Sequence, residues 1–189
     1  ADLRTDSAVV AYVRGIDVRG RSGKVDVIVP YGWVSGTADF AGQSQSRNVS
    51  GFGDPRLRYE NLDPRVGDQS GPTNRGFALA RGRYLALLNH DDLWFPDHLA
   101  RAGAALERGD ADLVFPLQLE LDPDGRWRMN SVFPHGFDPL LHPNASAWVF
   151  RRELAGRTGS LVHRDETYSY PTRHWLIRAW RAGARLAAV

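Results

Sequence analysis

Short apolar runs alternate with stretches of helical periodicity along this chain, and this alternation restricts its fold more than any other feature. Lys24 to Val29 reads KVDVIV and Arg83 to Leu88 reads RYLALL, which is the pattern of buried strands. Pro72 to Arg81, and the stretch from Pro96 to Gly109, place apolar residues at helical spacing instead. Helices that alternate with short strands predict an α/β fold with mainly parallel core strands.

The other predicted elements complete a single domain. The opening stretch from Leu3 to Gly15 is predicted to be a helix, because its apolar residues suit a helical face better than a strand. The DPDG sequence at Asp122 to Gly125 predicts a hairpin, and Thr172 to Ala182 predicts an amphipathic helix. The pattern also predicts a helix from Ser35 toward Arg47 and short strands over Arg56 to Glu60, Asp112 to Leu121 and Ser146 to Phe150. No internal repeat or long linker divides the 189 residues.

Composition excludes several classes of protein. The chain has no cysteine, which excludes thiol catalysis, thiolate metal sites and disulfides. Its 24 basic and 22 acidic side chains give a formal net charge of +2, and its arginines are scattered, so nucleic-acid binding is not expected. Neither an apolar run of about 18 residues nor a signal peptide is visible, so we expect no integral membrane segment and a cytoplasmic location.

Two adjacent carboxylates, Asp91 and Asp92, follow the predicted strand RYLALL. Ligands of open α/β sheets bind beyond the carboxyl ends of the strands. Carboxylates are hard oxygen donors that suit Mg²⁺ or Mn²⁺, ions that also bind phosphate oxygens. The alternative is that one of the two caps the helix that opens near Pro96, because aspartate is a common N-cap. The pair alone leaves the metal site and the cap equally open.

The stretch from Gly71 to Leu99, GPTNRGFALARGRYLALLNHDDLWFPDHL, adds context to this pair. It resembles the nucleotide-sugar-binding core of family-2 glycosyltransferases, which have the GT-A fold. The matching motifs are an Asn-Arg-Gly helix start, ARG-Y before a hydrophobic strand, an acidic D-x-D type turn with Leu-Trp, and a proline-led helix. The resemblance implies a GT-A-like (Rossmann-like) sheet, mainly parallel and flanked by helices, with a C-terminal hairpin and helix.

The resemblance extends more weakly through KVDVIVPYGWVSGT and GDPRLRYENL upstream and through NASAWVFRREL and PTRHWLIRAWRAGARL downstream. Three departures stand out. The family's first strand is not evident ahead of the predicted opening helix, so the chain is a fragment, is shortened, or pairs differently at its N-terminus. Pro30 and Tyr31 stand where the family has two aspartates. Asn89 takes the first position of the D-x-D pattern, which leaves Asp91 as its second acid.

The resemblance implies ligand-binding roles for several residues. Asp91 is expected to bind Mn²⁺ or Mg²⁺, with Asp92 beside it, and His90 to hydrogen-bond ribose or phosphate. Arg75 is expected to clamp a phosphate, with an ion pair to a carboxylate as the alternative. Tyr31 would stack on the base in place of the missing aspartate. The candidates for nucleotide binding are Tyr31, Asn74, Arg75, Asn89 and His90.

The implied reaction is an inverting transfer from a nucleotide-diphosphate sugar. An acceptor hydroxyl would attack the anomeric carbon opposite the departing diphosphate, and a base would take its proton. His174 stands where the family has its usual aspartate, and an imidazole with an ordinary pKa of about 6.5 can still serve as the base. Asp165 and Glu166 are rival bases, and a site without a base is the third possibility. Residues 1–110 are expected to bind the donor and 111–189 an unknown hydroxyl acceptor.

Two other functions stay open. The departures at Tyr31, Asn89 and His174 suit a catalytically silent member that binds a sugar or a protein partner. A nucleotidyltransferase would also use carboxylates and magnesium, but it would show a glycine-rich phosphate loop near its start, which this sequence lacks.

The tryptophans offer an aromatic platform for the acceptor, although a core position is expected for at least two of Trp148, Trp175 and Trp180.

Overall fold

The structure is a computed structural model that describes residues 8–17, 24–31, 57–62, 68–89, 92–130, 137–139 and 142–189. Within these residues the elements are β1 (Ala8–Asp17), β2 (Lys24–Tyr31), β3 (Leu57–Leu62), α1 (Ser70–Leu79), β4 (Tyr84–Leu87), α2 (His98–Glu107), β5 (Leu113–Phe115), β6 (Gln118–Leu121), β7 (Trp127–Asn130), β8 (Val149–Arg151), α3 (Arg152–Thr158), α4 (Pro171–Arg181) and β9 (Leu186–Ala188). Two 3-10 turns, Ala145–Ala147 and Arg164–Glu166, lie between them.

Seven strands form one sheet in the order β3-β1-β2-β4-β8-β5-β9, and β6 and β7 form a separate hairpin. Only β2 with β4 and β5 with β9 pair in parallel within the described sheet, because β1 and β8 run against the other five strands. The sheet is therefore mixed, and the prediction of a mainly parallel sheet is wrong. The described residues between β5 and β8 form a hairpin without a crossover helix, and such a return suits an antiparallel partner.

The prediction of an opening helix over Leu3 to Gly15 is also wrong. Strand β1 pairs antiparallel with both β2 and β3, and its sequence AVVAYVRGID begins with six apolar residues in a row. Periodicity cannot distinguish a buried strand from a buried helix in so short an apolar run, and the β-branched valines favour the strand. The described chain therefore does have a strand ahead of β2.

Most other predicted elements are confirmed within one or two residues, including α1, α4 and the DPDG hairpin. The strand predicted over Asp112 to Leu121 is two strands, β5 and β6, separated at Pro116, which has no N–H to donate. The strand predicted over Ser146 to Phe150 begins only at Val149, after a 3-10 turn. Strand β9, near the end of the chain, was not predicted. The helix predicted from Ser35 lies outside the described residues.

The helix predicted to open at Pro96 begins two residues later, at His98. Pro96 and Asp97 form the turn that precedes it, in agreement with the fixed backbone angle of proline. Gly109, at a φ of 87°, follows the last turn of α2 as predicted, since glycine adopts this backbone conformation without strain.

Alternate residues of β4 face two apolar layers. Leu85 and Leu87 pack with Trp148 and Trp175, whose rings stack with centroids 5.9 Å apart, whereas Ala86 packs toward α2. Trp148 and Trp175 are fully buried and Trp180 is 43% exposed, so the predicted core position of at least two of these tryptophans is confirmed. None of the helices in the described part of the chain has the length and apolar composition of a membrane-spanning segment.

Strand β9 is attached to the sheet edge by its pairing with β5 and by Asp112. The backbone N–H of Asp112 donates to the Arg185 carbonyl at 2.8 Å, and the Arg185 N–H donates to Asp112 Oδ2 at 3.0 Å. The guanidinium groups of Arg185 and Arg157 lie 3.4 and 3.6 Å from the carboxylate. Burial alone would raise the pKa of Asp112, but the hydrogen bonds and charges from these arginines outweigh it and lower that pKa.

Candidate functional site

One edge of the sheet brings together the ends of β2, β4 and β5 and the start of β8. Strand β2 is parallel to β4, and both β4 and β5 are antiparallel to β8. The residues after β4, those after β5 and those before β8 therefore meet at this edge, where β2 also ends at Tyr31. This is the edge of an α/β sheet at which ligands generally bind.

The carboxylate of Asp92 lies in this region and is held by three donors. Its Oδ2 accepts hydrogen bonds from Ser146 Oγ at 2.6 Å, Asn89 Nδ2 at 3.1 Å and Asn144 Nδ2 at 3.3 Å. The Ser146 hydroxyl also accepts from the backbone N–H of Asn89 at 2.8 Å. The structure thus brings together two of the predicted residues, Asn89 and Asp92, whereas His90 and Asp91 lie outside the described residues.

Asn144 and Gln118 extend these contacts. Asn144 Oδ1 accepts from Asn89 Nδ2 at 3.0 Å and from the Ser146 N–H at 3.1 Å. The Gln118 side chain donates to the Asn144 carbonyl at 3.2 Å and accepts from the Asn144 N–H at 3.1 Å. We call these five residues the acidic-turn network: Asn89, Asp92, Gln118, Asn144 and Ser146.

The prediction from sequence missed Gln118, Asn144 and Ser146. The NAS sequence lies in a stretch with a weak family resemblance, but that resemblance carried no role for its polar side chains. The missing information was the direction of β8. Its antiparallel register with β4, continued past the strands, sets Ser146 opposite Asn89.

Asp92 does not cap the helix that follows it, so for this residue the capping alternative is wrong. The N-cap of α2 is Asp97, which makes no capping hydrogen bond, and Asp92 bonds Ser146 and Asn144 instead. Trp94 reinforces the same contact, because its indole N–H donates to the Ser146 carbonyl at 2.6 Å. Its ring stacks on that of His98, 4.7 Å away, and burial lowers the pKa of His98 to about 4, so His98 is neutral at physiological pH.

Asn74 and Arg75 lie on α1, outside the acidic-turn network. Asn74 Nδ2 donates to the Leu161 carbonyl at 2.8 Å, and its Oδ1 accepts from the Leu161 N–H at 2.7 Å. Both ends of the amide are therefore engaged with the backbone, which gives Asn74 a structural role. Arg75 is exposed on the same helix, and its predicted contact with phosphate stays a prediction.

The start of α1 is tied to the 3-10 turn that carries Asp165 and Glu166. Asp68 accepts from the Ser70 N–H at 2.8 Å and from the Arg164 N–H at 2.8 Å. Both predicted bases on this turn are exposed to solvent. The Asp165 carboxylate lies 3.5 Å from His163 Nδ1.

His174 occupies the first turns of α4 and is half-buried. Burial lowers the pKa of His174, and the charge of Arg178 lowers it further, so the imidazole is neutral at pH 7. Its buried Nδ1 has no hydrogen-bond partner among the residues described. Within the same part of the chain, no hydrogen bond links His174, Asp165 or Glu166 to Asp92.

Arg173, the neighbour of His174, contacts the segment that leads into the acidic-turn network. Its guanidinium donates to the Pro139 carbonyl at 3.2 Å. Burial, and then the charge of Arg173, lower the pKa of His142 to about 4. Asn144 and Ser146, which follow His142 in the same segment, donate hydrogen bonds to Asp92. The helix that carries His174 and the turn that carries Asp92 therefore both contact the stretch between Pro139 and Ser146.

Comparison with known proteins gives three findings. Residues 36–164 match the family model described as Glycosyl transferase family 2. A segment of 63 residues, 33% of this chain, is 43% identical to 17% of the succinoglycan biosynthesis protein ExoO of Rhizobium meliloti (strain 1021). S. aureus TarS 1-349 in complex with UDP-GlcNAc has a similar structure, with a TM-score of 0.59 and 16% identity over 79% of this chain and 44% of that one.

A second TarS 1-349 structure, in complex with UDP, gives a TM-score of 0.54 at 17% identity and covers 68% of this chain and 39% of that one. These likenesses confirm the predicted α/β fold with a sheet flanked by helices, although the sheet is mixed and not mainly parallel. The chain spans less than half the length of either TarS structure and matches a small part of ExoO.

Proposed function

Because this chain belongs to glycosyl transferase family 2, we propose that it transfers a sugar from a nucleotide-diphosphate sugar to an acceptor hydroxyl. The observation that carries the proposal is the acidic-turn network, which holds a carboxylate at the ligand-binding edge of the sheet. All five residues of the network lie within the part of the chain that matches the family, residues 36–164.

We propose that Asp91, with Asp92 beside it, holds Mn²⁺ or Mg²⁺. The Asp92 carboxylate fits such an ion. Its Oδ2 accepts three hydrogen bonds from the protein, but no described residue donates to Oδ1, so Oδ1 is left as a hard oxygen ligand for the metal. The described residues contain no group of three or more histidine or acidic side chains suited to a metal, so phosphate oxygens and water would complete the coordination. When bound, the ion supplies positive charge opposite the diphosphate that leaves.

In a transfer with inversion, the donor and the acceptor approach from opposite sides, so we divide the candidate residues between two sides of the ligand-binding edge. We place the nucleotide beside the end of β2 and the acidic turn, where Tyr31, Asn89 and His90 would contact it and Arg75 would reach a phosphate. The acceptor lies on the α4 side. His174 is our first choice for the base, because its lowered pKa keeps it neutral and able to accept a proton at pH 7. Asp165 and Glu166 are the alternatives.

Nucleotide-sugar binding is the first test, with UDP-GlcNAc as the first donor because TarS was solved in complex with it. Thermal unfolding would be followed with UDP-, GDP- and dTDP-sugars, each with and without Mn²⁺. A donor present at about 100 times its Kd should stabilise the chain by about 2.7 kcal/mol. The control is Asp124→Ala, which removes an exposed carboxylate in the hairpin turn.

A Mn²⁺-dependent stabilisation, together with transfer of the sugar to an acceptor hydroxyl and release of the nucleoside diphosphate, would support the proposal. Binding without transfer to any hydroxyl acceptor would favour the catalytically silent alternative. No stabilisation by any nucleotide sugar would refute the proposal. The predicted cytoplasmic location stays a prediction, which cell fractionation tests.

A further inference from the structure

We infer that Ser146 and Asn144 are positioning residues that orient the Asp92 carboxylate toward the nucleotide diphosphate. They act through the Asp92 carboxylate and through Asn89. The inference rests on the proposed function and goes beyond it, because it places the control of the acidic turn in a segment more than fifty residues further along the chain.

Ser146 joins the two residues that flank positions 90 and 91 in sequence. Its hydroxyl donates to Asp92 Oδ2 at 2.6 Å and accepts from the Asn89 N–H at 2.8 Å. The residue is only 6% exposed, so water cannot readily replace either bond. The buried hydroxyl therefore bridges Asn89 and Asp92, in addition to the direct bonds between them, from the Asp92 N–H to the Asn89 carbonyl at 3.3 Å and from Asn89 Nδ2 to Asp92 Oδ2 at 3.1 Å.

Asn144 sets the direction of the carboxylate. Its Oδ1 accepts from Asn89 and Ser146, which turns its Nδ2 toward Asp92. All three donors to Asp92 meet at Oδ2, so the other oxygen is presented away from them. Gln118 in turn fixes the backbone of Asn144 through a pair of hydrogen bonds.

If Ser146 and Asn144 only stabilised their own 3-10 turn, they would need fewer hydrogen bonds than they make. The bond from the Ser146 N–H to Asn144 Oδ1 is enough to cap the 3-10 turn, and it needs no carboxylate. Two of the additional bonds, from Ser146 Oγ and Asn144 Nδ2, end on the Asp92 carboxylate at the ligand-binding edge. Groups that orient a metal-binding carboxylate in this way typically contribute about 10- to 100-fold to metal affinity.

The test is a double-mutant cycle of Ser146→Ala and Asp92→Ala. Calorimetry on the full chain measures the Kd of UDP in the presence of Mn²⁺ for each variant. Ser146→Ala should weaken Mn²⁺-dependent UDP binding about 10- to 100-fold. In the Asp92→Ala background the same substitution should have almost no further effect, because Ser146 acts through Asp92. Ser146→Thr keeps the hydroxyl and should restore most of the affinity.

Ser160→Ala is the matched control, since Ser160 is exposed and its described hydrogen bond uses only the backbone carbonyl. If Ser146→Ala does not fold, Asn144→Ala replaces it in the cycle, because Asn144 is exposed and makes its own bond to Asp92. Unchanged affinity in the variant, or additive effects in the cycle, would overturn the inference while leaving the proposed function intact. Failure of the wild-type chain to bind UDP with Mn²⁺ would overturn both.

Discussion

Replacement of Asp112 by asparagine should destabilise the fold in a way that depends on pH. Asp112 is 9% exposed and accepts a hydrogen bond from the Arg185 N–H at 3.0 Å, and its carboxylate lies near two guanidinium groups. Hydrogen bonds to a charged group contribute about 1.5–3 kcal/mol. Since both arginine side chains are more than half exposed, solvent screens their charges, and we expect a loss of about 1–2 kcal/mol at pH 7.

The sign of the pH effect follows from the lowered pKa of Asp112. A carboxyl with a lower pKa in the folded state stabilises the fold above its unfolded pKa of about 3.9, and this contribution disappears as the pH falls through the folded value. The difference in unfolding free energy between wild type and Asp112→Asn should therefore shrink as the pH falls below about 4.

Urea unfolding at pH 7, 5 and 3 measures this difference. The matched control is Asp110→Asn, an exposed aspartate two residues earlier, which should change stability by less than about 0.5 kcal/mol. The reasoning would be refuted by an Asp112→Asn variant as stable as wild type at pH 7. A gap of the same size at pH 7 and pH 3 would refute it equally.

Further predictions concern Asn74 and two residues of the proposed site, Asp91 and His174. Asn74→Ala removes two hydrogen bonds to the Leu161 backbone and should lower the free energy of unfolding by about 1–3 kcal/mol in urea titrations. Asp91→Ala should weaken Mn²⁺-dependent UDP binding at least about tenfold by calorimetry, and unchanged binding would remove this residue from the metal site. His174→Ala should leave that binding intact and lower turnover about 100-fold or more, whereas equal turnover would exclude it as the base. If His174 is the base, the acid limb of the turnover profile should lie below about pH 6.5, since its pKa is lowered.

Patterns that are local in sequence predicted their elements well. The DPDG turn predicted the hairpin of β6 and β7, and the apolar spacing over Thr172 to Ala182 predicted α4. Both features depend on contacts between residues near one another in the chain, so the sequence contains the required information. The position of Asn89 and Asp92 after a buried strand was predictable for the same reason.

Pairing between distant segments was not predictable from these patterns. The periodicity of the apolar run in β1 does not separate a strand from a helix, and its pairing with β2 and β3 decides between them. The direction of β8 likewise depends on the route of the chain after β5. An assumed parallel sheet would have placed Ser146 at the opposite edge from Asp92, which is why the polar side chains of the NAS sequence received no role.

The reversed direction of β8 also limits how the chain can be divided. The predicted donor-binding part, residues 1–110, contains the Asp92 carboxylate, but two of its three described donors, Asn144 and Ser146, belong to the other part. Strand β4, in the first part, likewise pairs with β8 in the second part. A chain cut after residue 110 would therefore keep Asp92 and lose two of the three described side chains that hold its carboxylate, so the two predicted parts depend on each other for their structure.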